Sequence, residues 1–294
     1  MTPSSIPSSI IGAALRAYGR VAFSGRGAYH LVRMGRRFIP SRSRRAVFAT
    51  PEGLRFELDL SIYPDCCMAF GLYELDTARL IRRLLRPDDH FVDGGANIGY
   101  FTVMAAHRVG PGGRVDAFEP QADNRARLEA NLDRNGLRRR VRVHAAALSN
   151  RSGVARIHLF QGANDNHGCA SLYGRDDESS QTTTVPTLRL DEVLQGATPR
   201  MIKLDVEGAE PLAVEGMDGL LKSDNAPLLI VEYNARSARQ AGFEPRAWIE
   251  RLRAAQPDYA LHLIGRRPRR LQPAEPELAA FDEANVLATL ESVK

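Results

Sequence analysis

Short apolar runs and amphipathic segments alternate along most of the chain, and this alternation predicts an α/β fold. Apolar runs that predict strands end at Asp93 or cover 115–118, 141–148, 201–205, 227–232, 259–264 and 285–289. Helical spacing predicts helices over 77–85, 122–135 and 244–254, and one more that carries Ile98, Phe101, Ala105 and Val109 on one face. The run at 227–232 is almost continuously apolar, which indicates a parallel sheet covered on both faces.

Two further regions have strand patterns. Residues 46–60 alternate around a Pro-Glu-Gly turn, which predicts a hairpin. Strands predicted at 152–160 and 182–185 flank a polar loop at 162–171 that contains His167. Long polar loops inside compact domains are usually functional or disordered. We therefore expect this loop to form a lid over the molecule on which the protein acts, its acceptor substrate, and we expect His167 to contact that molecule.

A glycine-rich turn follows the first strand of the α/β region. It consists of Asp93, Gly94, Gly95, Ala96, Asn97, Ile98 and Gly99. Its glycines let the backbone turn tightly and approach a ligand closely. The next predicted strand ends at Glu119, whose carboxylate can accept hydrogen bonds from ribose hydroxyls, and Pro120 stops that strand. This order of residues predicts a site for a nucleoside-bearing cofactor, and an ordinary glycine-rich turn is the alternative.

The details of this turn favour S-adenosylmethionine over a dinucleotide. A dinucleotide site needs Gly-x-Gly-x-x-Gly, so that bare backbone amides meet a pyrophosphate. Here an acid precedes the glycines and Asn97 lies among them, which suits a cofactor with a cationic amino group and no phosphate. The small residues at 145–147 would let an adenine ring lie against the backbone, and Ala146 is the candidate contact.

Charged residues gather at the carboxyl ends of two predicted strands. Lys203 and Asp205 project to the same side of one strand, and Glu207 follows at the sheet edge where ligands bind in open α/β folds. We expect Asp205 and Glu207 to be functional, whereas Glu210 is equally well explained as a first-turn residue of the next helix. Glu232 ends the neighbouring strand in the same way and is a candidate acceptor contact.

Charge is unevenly distributed along the chain. Residues 1–50 contain nine of the 40 basic residues and no acidic residue, which leaves 31 basic and 35 acidic side chains in the remainder. The pattern predicts a basic, partly helical or disordered arm at 1–45 and an acidic domain at 46–294. Such an arm is typical of a helix on an anionic membrane, of a partner contact, of a transit peptide or of a solvated extension. A mildly acidic domain argues against a nucleic-acid enzyme.

The apolar runs and the cysteines indicate where in the cell the protein is located. No apolar run reaches eighteen residues, so no transmembrane segment is predicted. Three cysteines are too few and too badly spaced for a disulfide framework or a zinc site. We therefore expect a cytoplasmic protein, with membrane association through the basic arm as an addition to that location.

The motifs, taken in order, resemble the FkbM-type family of S-adenosylmethionine-dependent methyltransferases over residues 70–235. They comprise Tyr73-Glu74, the turn and its flanks at 92–100, Phe118-Glu119-Pro120, Ala147-Leu148-Ser149, and the segments at 185–191, 202–210 and 230–232. The paired Gly94 and Gly95 depart mildly from the family pattern. The resemblance implies a class I methyltransferase fold, which is Rossmann-like and doubly wound, with a mostly parallel seven-stranded sheet and a reversed last strand. Glu74 is a further candidate for cofactor binding.

The resemblance also implies O-methylation of a hydroxyl on a sugar, a glycolipid or a polyketide-type natural product. The methyl group of the sulfonium is already activated, so transfer needs in-line placement of the hydroxyl and removal of its proton. Asp205 is the leading candidate for the base, with Glu207 and His167 as rivals, and Lys203 would hold Asp205 ionised or orient the acceptor. A divalent metal that bridges Asp205, Glu207 and oxygens of the acceptor is an alternative, but the sequence has no second dense carboxylate cluster to support it. A non-catalytic cofactor-binding or membrane-recruited partner protein is the alternative function.

Overall fold

The computed structural model describes residues 45–50, 52–60, 62–159, 170–171, 181–265, 269–271, 278 and 280–290. The predicted N-terminal arm, apart from Arg45, lies outside the described residues, as do His167 and most of the polar loop. The roles of the arm, of His167 and of the polar loop therefore stay predictions.

Nine helices and fourteen strands form the described part of the chain. The helices are α1 (Tyr63–Ala69), α2 (Leu75–Leu84), α3 (Tyr100–Val109), α4 (Ala122–Arg134), α5 (Leu190–Leu194), α6 (Glu210–Glu215), α7 (Asp218–Leu221), α8 (Ala235–Gln240) and α9 (Ala247–Ala255), with a 3-10 turn at Arg138–Arg140. The strands are β1 (Arg45–Ala49), β2 (Arg55–Asp59), β3 (His90–Gly94), β4 (Arg114–Phe118), β5 (Val141–His144), β6 (Ala147–Leu148), β7 (Gly153–Leu159), β8 (Ala170–Ser171), β9 (Gln181–Leu188), β10 (Met201–Leu204), β11 (Leu228–Asn234), β12 (Ala260–Leu263), β13 (Arg269–Leu271) and β14 (Glu283–Thr289).

The main sheet has the strand order β13-β12-β14-β11-β10-β3-β4-β5 within the described residues. Strands β5, β4, β3, β10 and β11 are mutually parallel. Strand β14, the last strand of the described residues, runs antiparallel between β11 and β12. This arrangement confirms the predicted fold class with its reversed last strand, and β13 adds a short eighth strand at the edge.

Helices cover both faces of this sheet, as the apolar character of β11 predicted. One core cluster contains side chains from α1 to α4 together with Phe91, Val115 and Ile230. The other contains side chains from α5 to α9 together with Val92, Ile202 and Val231. Successive residues of one strand therefore pack into the cores on opposite faces of the sheet. Polar side chains lie at the carboxyl ends of the strands.

The predicted single strand at 141–148 is wrong. Strand β5 pairs with β4 as far as His144, after which the chain leaves the main sheet. Strand β6 pairs with β9 in a separate four-stranded sheet of order β6-β9-β7-β8. The amide of Ser149 continues that pairing by donating to the carbonyl of Leu188 at 3.0 Å. The smaller sheet thereby stands beside the carboxyl edge of the larger one.

The hairpin predicted at 46–60 is confirmed as β1 and β2, which pair antiparallel. Side chains of α4 and its C-terminal end hold β2 in place: the amides of Arg55 and Glu57 donate to the side-chain oxygens of Asn135 and Asn131. The hairpin is thus attached to the helix that follows Glu119. No helix in the described ranges is long and apolar enough to cross a membrane.

Candidate active site

A cleft of about 280 Å³ opens at the carboxyl edge of β3, β4, β10 and β11. This volume lies near the lower end of the range of small-molecule sites, roughly 300–1,000 Å³. Its polar lining residues are Tyr73, Glu74, Asn97, Glu119, Gln121, Lys203, Asp205, Glu207, Glu232, Asn234 and Glu283. Parallel strands bring their carboxyl ends to one edge, which explains why side chains far apart in sequence meet here.

The glycine-rich turn is shaped by contacts with neighbouring strands. The amides of Gly95 and Ala96 both donate to the carbonyl of Phe118, and the carbonyl of Gly94 accepts from the amide of Asp205. Gly95 has a φ of +82°, and a Cβ atom there would lie 1.8 Å from the carbonyl oxygen of Asp205. Only glycine fits this position, because the turn approaches the backbone after β10 so closely. Gly94 and Gly99 are packed against side chains and do not line the cleft.

Glu119 lies directly after β4 with 4% of its surface exposed. Its Oε2 atom accepts a hydrogen bond from the amide of Asn97 at 2.8 Å, and its Oε1 atom accepts one from the amide of Gln121 at 2.8 Å. Burial raises the pKa of Glu119 to about 7, against the lowering effect of these amides. The side chain of Asn124 is a further hydrogen-bond partner of this carboxylate, whose four lone pairs still allow it to accept a hydrogen from a ligand.

The end of the cleft beyond Glu119 is apolar. Phe118, Ala147, Leu148 and Ile157 line it, and the last three come from the smaller sheet. Ala146, the predicted adenine contact, is buried next to Ala147 and is not among the lining residues. The chain leaves the main sheet after His144, and this places the neighbours of Ala146 at the cleft.

Lys203 forms part of the cleft wall, and only 1% of its surface is exposed. Its Nζ atom is 2.8 Å from Oδ2 of Asp205 and 4.7 Å from the centre of the Phe101 ring. Burial lowers the pKa of this ammonium group, but the carboxylates of Asp205, Glu74 and Asp93 raise it more, so the net shift is upward. Lys203 therefore carries its charge at neutral pH.

Asp93 lies behind the cleft, next to Lys203 on the adjacent strand. Its Oδ2 atom accepts a hydrogen bond from the hydroxyl of Thr102 at 2.5 Å, and its buried Oδ1 atom has no hydrogen-bond partner among the described residues. Burial raises the pKa of Asp93, while the charge of Lys203 opposes this effect. Asp93 is thus placed to stabilise Lys203.

Glu74 precedes α2 in a left-handed conformation with a φ of +38°. Its Oε2 atom accepts a hydrogen bond from Nδ2 of Asn285 at 2.8 Å, across 211 positions of the chain. Burial raises the pKa of Glu74, and Lys203 opposes the shift. Asn97 and Glu207, which also line the cleft, have positive φ values of 49° and 54°. Such conformations are unfavourable for residues other than glycine and are often found at functional sites.

Carboxylates dominate the opposite side of the cleft, beyond Asp205. Glu207 accepts a hydrogen bond from the hydroxyl of Ser237 at 3.3 Å. Glu232 extends from β11 into the cleft, and its buried Oε2 atom has no partner among the described residues. Burial, followed by the charges of Asp205 and Glu207, raises the pKa of Glu232 well above its usual range. Glu283, at the start of β14, lies at the exposed rim.

Glu210, for which the sequence allowed two explanations, supports the turn after β10. Its Oε1 atom accepts hydrogen bonds from the amides of Val206 at 3.0 Å and Gly208 at 3.3 Å. The side chain is 3% exposed, and burial raises its pKa to about 7. Glu210 is not a lining residue, so we assign it to holding Asp205 and Glu207 in place.

The residues at the cleft fit a nucleoside with an attached amino acid. Glu119 presents lone pairs, the apolar end can take a flat ring, and the carboxylates near Lys203 can accept hydrogens from an ammonium group. Within the described ranges, no group of three or more His, Cys, Asp or Glu side chains is arranged to hold a metal ion.

Sequence reasoning identified most of the charged lining residues but missed several others. Tyr73, Phe101, Asn234 and Glu283 were not among the predicted site residues, although all four line the cleft. Asn234 accepts a hydrogen bond from the amide of Ser237 and begins α8. Two of these residues could have been found from their position next to predicted site residues. Tyr73 directly precedes Glu74, and Asn234 comes two positions after Glu232, which places it on the same side of β11.

Comparison with known families agrees with this geometry. The family described as Methyltransferase FkbM domain matches residues 93–259, which is more than half of the chain. The hexuronic acid methyltransferase AglP of Haloferax volcanii is 32% identical over 167 residues, covering 55% of this chain and 63% of that protein. The 31-O-demethyl-FK506 methyltransferase FkbM of Streptomyces tacrolimicus is 43% identical over 81 residues, covering 27% and 29%.

Two further similarities are more limited. The AMB antimetabolite synthetase AmbE of Pseudomonas aeruginosa is 55% identical over 51 residues, covering 17% of this chain and 2% of that protein. The chain thus covers less than two thirds of each of these three relatives. The solved O-methyltransferase of Bacillus cereus in complex with S-adenosylhomocysteine aligns with a TM-score of 0.43 and 14% identity, over 96% of this chain and 99% of that one. By the extent of the family match, the chain belongs to the FkbM-domain methyltransferases, and its methyl donor is S-adenosylmethionine.

Proposed function

We propose that the protein methylates a hydroxyl oxygen of a small-molecule or glycan acceptor. The observation that carries this proposal is the carboxylate of Asp205, which lines the cleft and is held by Lys203 at 2.8 Å. An alcohol is a poor nucleophile at neutral pH, so a carboxylate that takes its proton assists the reaction. The names of AglP and FkbM, a hexuronic acid methyltransferase and a 31-O-demethyl-FK506 methyltransferase, are consistent with an oxygen acceptor.

In this proposal the donor is held between the glycine-rich turn and the small sheet. Glu119 accepts hydrogen bonds from the ribose hydroxyls, and Phe118 and Leu148 contact the adenine. Glu74 accepts from the amino group of the methionine portion. Asp93, Gly94, Gly95, Ala96, Gly99 and Pro120 shape this half of the site without all touching the donor. When bound, S-adenosylmethionine supplies an activated methyl group on a positively charged sulfur.

The protein's own residues position the acceptor and move one proton. Asp205 accepts the proton of the acceptor hydroxyl as the oxygen forms its bond to the methyl carbon, while the bond between that carbon and sulfur breaks. The products are a methyl ether, a thioether and protonated Asp205, which returns the proton to water. Lys203 fixes the orientation of Asp205 throughout. Glu207 is the rival base, and His167 is a further one that lies outside the described residues.

The test uses the full chain with isotopically labelled donor and an extract of small molecules. We expect one extract component to gain the mass of a methylene group with wild type. Asp205→Asn should bind S-adenosylhomocysteine as wild type does but transfer at least about 100-fold more slowly, since a positioned base contributes roughly 10²–10⁴. Glu207→Gln is the matched variant and should remain active. Normal turnover by Asp205→Asn would reject it as the base.

A second outcome concerns the alternative function, a protein that binds the donor without catalysis. Calorimetric binding of S-adenosylhomocysteine with no labelled product from any extract would support that alternative.

The basic arm at 1–45 enters the proposal as a contact for an anionic membrane surface. Loss of sedimentation with anionic vesicles after deletion of residues 1–40 would support this role, and unchanged sedimentation would reject it.

A further inference from the structure

The acceptor half of the cleft is strongly acidic. Its carboxylates are Asp205, Glu207, Glu232 and Glu283. Lys203 is the one cationic side chain that lines the cleft within the described residues, and it is already paired with Asp205. Because Lys203 is buried behind Asp205, no lysine or arginine of the described chain is placed to bind an incoming anion.

These carboxylates share one end of the sheet because of the strand register. Lys203 pairs with Ile230, so Asp205 and Glu232 stand side by side two positions further along β10 and β11. Glu232 pairs with Asn285 and Asn234 with Glu283 across the reversed strand β14. The sheet therefore presents a continuous acidic floor that begins at the transfer site and ends at the rim.

The floor has unused capacity to accept hydrogen bonds. Glu232 lines the cleft, and its Oε2 atom is buried and has no hydrogen-bond partner among the described residues. Burying a polar atom without a partner is unfavourable, so a ligand that donates a hydrogen to it is favoured. Burial, followed by the charges of Asp205 and Glu207, raises the pKa of Glu232, because a further negative charge next to these two carboxylates is unfavourable.

From this floor we infer that the acceptor is a hydroxylated compound with no carboxylate or phosphate next to the methylated hydroxyl. The inference rests on the proposed function and specifies its substrate class. Hydroxyl or ammonium hydrogens of the acceptor bind Glu232, Glu207 and Glu283, and Asn234 adds an amide. A uronic acid, the kind of acceptor in the name of AglP, would place its carboxylate near Asp205 and Glu207, and we expect it to bind more weakly than a neutral acceptor.

The test separates an extract by charge before the reaction. Small molecules are divided by ion exchange at pH 7 into cationic, neutral and anionic pools, and each is incubated with the full chain and labelled donor. We expect label in the neutral or cationic pool and at least about tenfold less in the anionic pool. Equal or greater label in the anionic pool overturns the inference but leaves methyl transfer intact. No label in any pool, with S-adenosylhomocysteine still bound, overturns the proposed function and the inference together.

A charge-neutral variant at the rim gives a second test with the labelled acceptor. Glu283→Gln should raise the KM for the acceptor about tenfold, the loss of one charge-assisted hydrogen bond, and leave kcat within about twofold. For an acidic acceptor the same variant would lower KM, because a repelling charge is removed. Glu250→Gln, at an exposed position of α9, is the control and should behave as wild type. A lowered or unchanged KM in Glu283→Gln contradicts the inference.

Discussion

The ammonium nitrogen of Lys203 and Oδ2 of Asp205 lie 2.8 Å apart on one side of β10, with the side chains 2% and 20% exposed. The lysine is therefore almost inaccessible, while the aspartate remains open to the cleft. These two residues thus differ in their surroundings, since Lys203 carries its charge inside the protein and Asp205 presents a carboxylate to the cleft.

Replacing Lys203 should destabilise the protein. Lys203→Met removes the charge that Asp205, Glu74 and Asp93 surround and leaves buried carboxylates unpaired. Removing one partner of a buried ion pair costs about 3–5 kcal/mol, so we expect a loss of about 3 kcal/mol in urea unfolding. The control is Lys222→Met, whose exposed pair with Asp218 should contribute less than about 0.5 kcal/mol. Equal effects of the two substitutions would contradict a central role for Lys203.

The glycine-rich turn should not tolerate a side chain at Gly95. Gly95→Ala places a methyl group against the carbonyl of Asp205 in a left-handed backbone conformation, and we expect it to cost at least about 3 kcal/mol. Gly136→Ala tests the conformational part alone, because its φ is +64° and nothing lies within 4 Å of the new atom. It should cost about 1 kcal/mol. Thermal unfolding of both variants measures the difference, and similar midpoints would argue against the close approach.

Binding of S-adenosylhomocysteine should depend on pH through Glu119. Its pKa is raised by burial to about 7 from an ordinary value of 4.5, so the carboxylate, which we propose accepts ribose hydrogens, forms fully only above pH 7. We expect the calorimetric Kd to rise up to about tenfold per pH unit below 7 and to level off above 8. Glu119→Gln should bind weakly at every pH, whereas the exposed control Glu129→Gln should keep the wild-type profile. A flat wild-type profile would remove Glu119 from the ribose site.

The raised pKa of Glu119 makes the stability of the ligand-free protein depend on pH in the opposite direction from ligand binding. The folded protein favours the protonated form of Glu119, so its stabilising contribution is complete below the unfolded value of 4.5 and is lost as pH rises through about 7. Donor binding at pH 8 should therefore compensate for part of the stability lost between pH 5 and pH 8. Urea unfolding with and without S-adenosylhomocysteine at both pH values measures this compensation.

A buried cluster of Asp116 and two histidines on the adjacent strands β3, β4 and β5 should contribute to stability at neutral pH. Asp116 accepts hydrogen bonds from Nε2 of His90 at 2.8 Å and Nε2 of His144 at 2.7 Å. Burial alone would raise the pKa of Asp116, but the two histidines lower it well below its ordinary value of 3.8. The contribution is therefore present above about pH 4 and lost as pH falls further.

We expect Asp116→Asn to lower the free energy of unfolding by about 2 kcal/mol at pH 7, since it weakens two buried hydrogen bonds. The difference from wild type should shrink only below about pH 4. Asp76→Asn, in an exposed pair with Arg79, is the matched control and should change little. A variant as stable as wild type at pH 7 would show that the histidines do not depend on Asp116. Affinity for S-adenosylhomocysteine should not change in either variant.

Local patterns predicted the unit from Asp93 to Glu119 and the cluster from Lys203 to Glu210. In both places, strand, turn and helix follow one another within about thirty residues, so hydrophobic spacing and turn residues are sufficient to locate them. The fold class followed from the same alternation. The sequence also allowed the strands of two antiparallel pairs to be predicted, β1 with β2 and β7 with β9, because each pair has its own alternating pattern.

Contacts between distant segments could not be predicted in this way. Glu283 reaches the cleft and Asn285 reaches Glu74 because β14 inserts between β11 and β12, and strand order is not encoded in local spacing. Phe101 contacts Lys203 only through the packing of α3 on the sheet. The departure of the chain from the sheet after His144 was missed for a related reason, since residues 141–148 read as one apolar strand until a different partner, β9, is known.

The hydrogen bond between Glu74 and Asn285 joins two positions 211 residues apart. A ribosome adds about 5–20 residues per second, so roughly 10 to 40 s separate the synthesis of these two side chains. During that time the glycine-rich turn and Glu119 have already been made, yet the cleft has no last strand and Glu74 has no amide partner. The nascent protein therefore completes this cleft only after β14 has left the ribosome, and a chain truncated before that strand would be synthesised with most of the motifs and without a finished cleft.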